Sequence, residues 1–289
     1  MTRTTRDTSK AVLITGCSTG IGRETATRLA RKGWTVYATA RRPESIADLA
    51  EAGCATLACD VTDEASMAAC VNAVVEAEGA VGALVNNAGY SQSGAVESIA
   101  MDSIRRQFET NVFGLIRMSQ LTLPGMREQG WGRIVNVGSM GGKLTFPGGG
   151  IYHATKYAVE AISDAMRFEV EGFGVGVVCI EPGLIRTSFG DAAVGSIAEG
   201  AAGDGPYTEF NAHVARATAG AYEGGPLAKL GGGPDAVAAV IERALSARRP
   251  RPRYKVTASA RLAIGQRRLV SDRMWDRIMA SQFPRPSAD

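Results

Sequence analysis

Six short apolar runs, separated by stretches with helical spacing, recur over the first 185 residues, and this alternation restricts the fold more than any other feature. The runs are Ala11–Thr15, Thr35–Thr39, Ala55–Cys59, Ala83–Asn86, Arg133–Val137 and Val175–Ile180. Strands that are apolar throughout need cover on both faces, and strands joined through helices run parallel. The fold class that follows is α/β: a single doubly wound parallel sheet with helices on both faces. The intervening helices are expected at Glu24–Arg31, Ala65–Glu78 with Thr62 as its N-cap, Asp102–Gln120 and Tyr152–Gly172. Beyond Ser188 the alternation lapses. Residues 190–233 are rich in Gly and Ala and read as a weakly structured substrate loop or lid. Asp235–Ala247 then reads as a helix, Arg253–Val256 as a strand, and Ser271–Ala280 as an amphipathic helix with Val270, Met274 and Ile278 on one face. No repeat or second core is visible, so residues 1–289 are read as one domain. Its parts are a core of 10–188, the 189–233 loop and a 234–289 C-terminal segment.

With 45% hydrophobic and 21% charged residues, the chain has the composition of a soluble folded protein. The formal charge of +3 conceals an asymmetry: Arg248–Asp289 holds 11 basic and 3 acidic side chains, leaving 21 basic against 26 acidic in the rest. One short arginine-rich tail on an acidic body does not describe a nucleic-acid binder. Five cysteines without a C-x-x-C pair read as reduced packing residues, and two histidines without ligand spacing give no metal site. No run of 18 uncharged apolar residues occurs and the N-terminus lacks the form of a secretory signal, so a cytoplasmic location is expected.

The first strand leads into Thr15-Gly-Cys-Ser-Thr-Gly-Ile-Gly22 and then a helical pattern. Glycines there allow a tight turn and bring backbone N–H groups close to an anion at a helix N-terminus, as a pyrophosphate requires. The spacing Gly16-x-x-x-Gly20-x-Gly22 differs from the G-x-G-x-x-G fingerprint. It resembles the T-G-x-x-x-G-x-G turn of the short-chain dehydrogenase/reductase family. Asn86-Asn-Ala-Gly89, Asn111, Ser139, the Tyr152-x-x-x-Lys156 pair and Pro182-Gly183 with Thr187 follow in that family's order, over roughly residues 10 to 188. The resemblance implies a Rossmann-type sheet and reversible hydride transfer between a nicotinamide and a carbon bearing oxygen.

Four side chains fill the family's catalytic positions: Asn111, Ser139, Tyr152 and Lys156. Tyr152 and Lys156, four residues apart on a helix, share one face. A phenol is a poor general base at neutral pH, and a nearby ammonium lowers its pKa. Ser139, just past the fifth strand, can donate a hydrogen bond to a carbonyl oxygen gaining negative charge. By resemblance, Asn111 helps hold a water that links Lys156 to solvent, and Lys156 also holds the cofactor ribose. His153 would point about 100° away from Tyr152 and is read as packing or surface.

For the cofactor, the resemblance nominates Gly16, Ser18, Thr19, Gly20, Ile21 and Gly22 in the turn. It further nominates Asn87, Ala88 and Gly89 after the fourth strand, Asp60 and Val61 after the third, and Pro182, Gly183 and Thr187 after the sixth. The end of the second strand offers Ala40 where an NAD-binding fold normally presents a carboxylate. Arg41 and Arg42 follow, two guanidiniums suited to a 2′-phosphate. NADP(H) is therefore the favoured cofactor and NAD(H) the alternative.

Phe189, Ile197, Tyr207, Phe210, Tyr222 and Leu227 would suit an apolar ketone or secondary alcohol. The tail resembles steroid- and retinoid-type members of the family, so a steroid, retinoid or long-chain carbonyl is preferred over a small ketone or sugar alcohol. A non-catalytic NADP-sensing or scaffolding protein on the same fold is the alternative function. The resemblance also implies a homo-dimer or homo-tetramer built on Asp102–Gln120 and Tyr152–Gly172. Trp275, Met274 and Ile278 lie among Arg267, Arg268, Arg273 and Arg277; this tail is read as a solvated helix over the substrate mouth in preference to a peripheral membrane contact.

Overall fold

A computed structural model describes residues 8–200, 205–223 and 228–286. Seven strands form one sheet in the order β3-β2-β1-β4-β5-β6-β7, every neighbouring pair parallel. They are β1 (Val12–Ile14), β2 (Val36–Ala40), β3 (Cys54–Ala58), β4 (Ala83–Asn86), β5 (Gly132–Val137), β6 (Val175–Pro182) and β7 (Arg253–Val256). Alternate residues of each central strand feed opposite layers. Val12, Ile14, Val85, Val135 and Val178 join one cluster with Ala26 and Leu29 of α1 (Gly20–Arg31) and Ile241 of α8 (Pro234–Ser246). Leu13, Leu84, Ile134 and Val177 join the other, under α2 (Glu64–Glu78), α4 (Gly114–Glu128) and α5 (Gly150–Glu171). The doubly wound α/β sheet expected from the apolar runs is therefore present, with strand ends shifted by one or two residues.

The strand order reverses between β1 and β4, the switch point at which open parallel sheets form their ligand crevice beyond the strands' carboxyl ends. Every nominated site segment except Asn111 directly follows a strand or lies on α5, so the topology gathers them at that edge.

Four sequence expectations need correction. Asp102–Gln120 is not one helix: α3 (Met101–Phe108) passes through a π-turn at Glu109–Phe113 into α4, which continues past Pro124. Residues 190–233 are not an irregular loop, because α6 (Phe189–Gly200) and α7 (Thr208–Glu223) occupy most of them. Their Gly and Ala content is poor in periodic signal. Tertiary burial supplies the stability, with Ile197, Phe210 and Val214 packed on Ala95. Asp63 rather than Thr62 caps α2, accepting from Ser66 N at 2.9 Å, while Thr62 bonds back to Asp60. Finally, an unanticipated α9 (Ala258–Leu269) precedes α10 (Asp272–Ala280); Trp275 and Met279 are the buried residues of α10, Val270 and Ile278 pack on the same cluster as expected, and Met274 is instead 45% exposed. Leu227 lies outside the described residues.

Candidate active site

The glycine turn is held by the segment after β4. Thr15 Oγ1 accepts hydrogen bonds from the backbone N–H groups of Asn87 and Ala88, both at 3.1 Å. The Asn87 amide donates to the carbonyls of Thr15 and Gly16, both at 2.9 Å. Gly16 has φ +73°, and a Cβ there would sit 2.9 Å from Ala88 Cα. A Cβ on Gly22 would come within 2.4 Å of both Gly16 O and Asn87 Nδ2. These close approaches, rather than turn geometry alone, require glycine. Asn87 is thus spent on the turn backbone. Thr15, which the motif reading left out of the site, is the residue that fastens the two loops.

Beyond the turn a cleft of about 960 Å³ runs along the sheet's carboxyl edge. Of the nominated cofactor residues, Gly16, Ser18, Thr19, Gly20, Ile21, Arg41, Asp60, Val61, Asn87, Ala88, Gly89, Pro182, Gly183 and Thr187 line it. Gly22 lies behind the turn as packing. Arg42 does not line the cleft; its carbonyl instead accepts from Ser45 N and Oγ to start a short 3-10 turn. Arg41 is exposed and has no ion-pair partner among the described residues.

Ser139, Tyr152 and Lys156 meet on the floor of the same cleft. Ser139 caps a 3-10 turn by accepting from Gly141 N at 3.0 Å. Burial pushes the Tyr152 phenol above its ordinary value, and the nearby Ser139 hydroxyl opposes that shift. Lys156 is buried. Its ammonium lies 5.8 Å from the Tyr152 ring centroid, donates to Val137 O at 2.8 Å, and is brought down to about 8 by burial.

Asn111 is not on the cleft wall. Its Oδ1 accepts from Tyr90 N at 3.1 Å, and its Nδ2 donates to Tyr90 O at 2.9 Å and Thr155 Oγ1 at 3.1 Å. Thr155 in turn donates to Tyr152 O at 2.7 Å. The Asn111 amide thereby ties the π-turn to α5. His153 is buried, not on the surface. Its Nδ1 is 3.0 Å from Gly141 O, and burial takes it down to about 4, so the neutral ring donates to that carbonyl.

The far wall is apolar: Phe146, Phe189, Val214, Tyr222 and Phe283 border the cleft, and the Tyr152 and Phe189 rings lie 5.4 Å apart. Phe189 and Tyr222 were expected here; Phe283, near the end of the chain, was not. Tyr207, Phe210 and Ile197 pack behind the wall rather than on it. Among the described residues no His, Cys, Asp and Glu cluster could hold a metal, and no helix is long and apolar enough to cross a membrane.

A glycine turn at a parallel sheet's switch point, beside a serine, tyrosine and lysine on a cleft floor, defines a nucleotide-dependent oxidoreductase site. Residues 10–195 match the short chain dehydrogenase model, and the chain belongs to the short-chain dehydrogenase/reductase family. It is 33% identical over 271 residues to the uncharacterized oxidoreductase YbbO of Escherichia coli, covering 93% of this chain and 94% of that one. It is 32% identical over 277 residues to the NADPH-dependent 3-dehydrocapnine reductase of Ornithobacterium rhinotracheale, covering 92% and 94%. The fold matches that of a family member from Burkholderia phymatum solved with NAD, with a TM-score of 0.77, 25% identity and 97% of each chain covered. The protein is a dehydrogenase/reductase of a fold that binds NAD(P).

Proposed function

We propose that this enzyme interconverts a hydrophobic ketone or aldehyde and the corresponding alcohol, using NADP(H) and Tyr152 as the proton donor and acceptor. The observation that carries the reading is the meeting of Ser139, Tyr152 and Lys156 on a cleft floor that joins the glycine turn to an apolar wall.

The glycine turn fits the cofactor, because Gly16, Ser18, Thr19, Gly20 and Ile21 line the cleft at the N-terminus of α1, where unpaired backbone N–H groups favour an anion. The turn would hold the pyrophosphate, Asp60 and Val61 would flank the adenine, and Lys156 would hold a ribose. The cofactor supplies or takes the hydride. In the reductive direction Ser139 donates a hydrogen bond to the carbonyl oxygen and polarises it. Tyr152 then passes its proton to the oxygen as negative charge develops. A phenol raised by burial is fully protonated at neutral pH and so poised as a donor. Lys156, at about 8, is cationic at pH 7 and steadies the phenolate left behind.

Arg41 supports NADP(H): its guanidinium, without an ion-pair partner among the described residues, lines the cleft at the end of β2, where Ala40 provides no carboxylate. The NADPH-dependent relative agrees with this choice. The apolar wall of Phe146, Phe189, Val214 and Phe283 supports a bulky hydrophobic substrate over a small polar one. Self-association through the π-turn and α5 is part of the same proposal, since Phe113, Tyr157 and Phe168 stand exposed there.

The test is a panel of ketones and alcohols of graded length with NADPH and NADP⁺, read at the nicotinamide absorbance. Tyr152→Phe is expected to lower kcat by about 10²–10⁴; equal turnover by both proteins would sink the role of Tyr152. Arg41→Ala is expected to weaken NADPH about tenfold and leave NADH unchanged, the value of one charge-assisted contact. Equal effects on both cofactors would remove the preference.

A further inference from the structure

We propose that the solvent face of α9, with the neighbouring end of α10, docks on an anionic lipid surface. Four side chains define it. Leu262 and Leu269 are spaced by seven residues and so return to the same side of the helix, about 10 Å apart along its axis. They are 60% and 88% exposed. Arg261 and Arg268, one position before each, repeat at the same spacing and are exposed beside them. The opposite side of α9, with Ser259, Ala260 and Ile264, faces the protein.

Folding does not account for the two leucines. The inward face of the helix already has its anchors, with Ile264 in one cluster with Leu144, Trp275 and Met279. Trp275 Nε1 also bonds Thr145 O at 3.3 Å, and the Arg267 guanidinium lies 5.6 Å from the Trp275 ring centroid. The sequence reading gave the aromatic and its neighbours to a solvated helix; the structure turns Trp275 inward and leaves a different apolar pair outside.

The charge beside the leucines identifies their partner. The side chains of Arg261, Arg268, Arg273 and Arg277 make no ion pair or hydrogen bond among the described residues. The acidic groups on these two helices are Asp272, paired with Arg267, and Asp276. An excess of unpaired arginines bordering two protruding leucines matches an interface that is negative at its surface and apolar beneath. A polyanion such as nucleic acid has no use for the leucines. The inward side of α9 backs onto the cleft, because Met140 and Phe146 belong both to the cluster under α9 and to the cleft lining. The inference stands apart from the assignment of substrate and cofactor.

Co-sedimentation of the full chain with vesicles provides the test, using phosphatidylcholine alone and phosphatidylcholine mixed with phosphatidylglycerol. Wild type is expected to bind the anionic vesicles and not the neutral ones. Leu262→Ser with Leu269→Ser should weaken that binding about tenfold, and Arg261→Gln with Arg268→Gln should weaken it similarly and reduce its salt dependence. Circular dichroism checks that both exposed-face variants fold. Absence of vesicle binding overturns the proposal. So does binding that survives loss of both leucines, which would mark simple charge attraction. Light scattering gives the remaining outcome: if the leucine pair changes the oligomeric state instead, the face is a contact between copies and the proposal fails.

Discussion

His153 adjoins Tyr152 in the sequence, and its neutral ring holds Gly141, whose N–H donates to Ser139 Oγ. A Cβ on Gly141 would lie 2.4 Å from His153 Nδ1, so the two positions are fitted to each other. The native ring resists protonation down to about 4, whereas the unfolded ring takes a proton near its ordinary 6.5. The unfolded state therefore binds more protons at this ring between those values, and the contribution of His153 to stability must fall as pH drops through that window. Between pH 7 and pH 5 that contribution should fall by about 2 kcal/mol. Glu181 contributes a slope of the opposite sign over the same range, so urea unfolding of wild type is compared with His153→Gln at the two pH values: the variant should lose about 2 kcal/mol less than wild type on going to pH 5, and equal changes in both would exclude the assignment. The motif residues at this scale were legible because each lies at a fixed offset from a strand or glycine. Asn86 was equally visible as a letter but gave no sign of its task. Its amide donates to Asn136 Oδ1 at 3.0 Å, and Asn136 donates to Ser163 at 2.9 Å, a buried chain that three separated segments create only on folding.

At the level of elements, α5 is fastened to β6 and β7 by charge as well as by apolar packing. Glu160 Oε2 accepts from Arg253 Nε at 2.8 Å and pairs with Lys143 at 2.8 Å, while Arg253 also pairs with Asp164 and lies 3.4 Å from Glu181. Glu160 and Glu181 are both buried, so Arg253 offsets charges that would otherwise be stranded. Arg253→Met should cost about 2 kcal/mol of stability, and adding Glu181→Gln should restore part of it. Thermal unfolding of the single and double variants decides the point. Glu181 is raised by burial and by Glu160 to about 7, so the native state holds this proton above the ordinary carboxyl range. Its stability contribution is present at low pH and lost as pH rises through that value, and Glu181→Gln alone should remove that slope. The regular strands and amphipathic helices were readable from periodicity. The π-turn was not, because an inserted residue leaves composition unchanged, and α6, α7 and α9 were obscured where burial rather than an apolar stripe stabilises a helix.

For the molecule as a whole, the exposed aromatics on α5 and the π-turn bear on assembly. Phe168 is 86% exposed and Phe113 51%, each large enough to matter at an interface. Phe168→Ser is expected to shift the sedimenting species toward a smaller mass with activity per folded chain little changed. An unaltered mass would move the interface elsewhere. The charge asymmetry was legible in the sequence, but the use of the basic segment was not, since only tertiary contacts separate the inward Trp275 from the outward Leu262 and Leu269.

The cleft wall has its own small apolar cluster. Ala95, Ile197, Phe210 and Val214, with Phe283 from the far end of the chain, pack together outside the two layers that cover the sheet. The floor that holds Ser139, Tyr152 and Lys156 rests on strands and α5, which those layers support independently. The wall rests largely on its own cluster, so it can be rebuilt as a unit, by evolution or by grafting, with little change to the layers that support the floor. One scaffold can in this way carry walls of very different shape, with the form of the cleft and the arrangement of its floor inherited as separable traits.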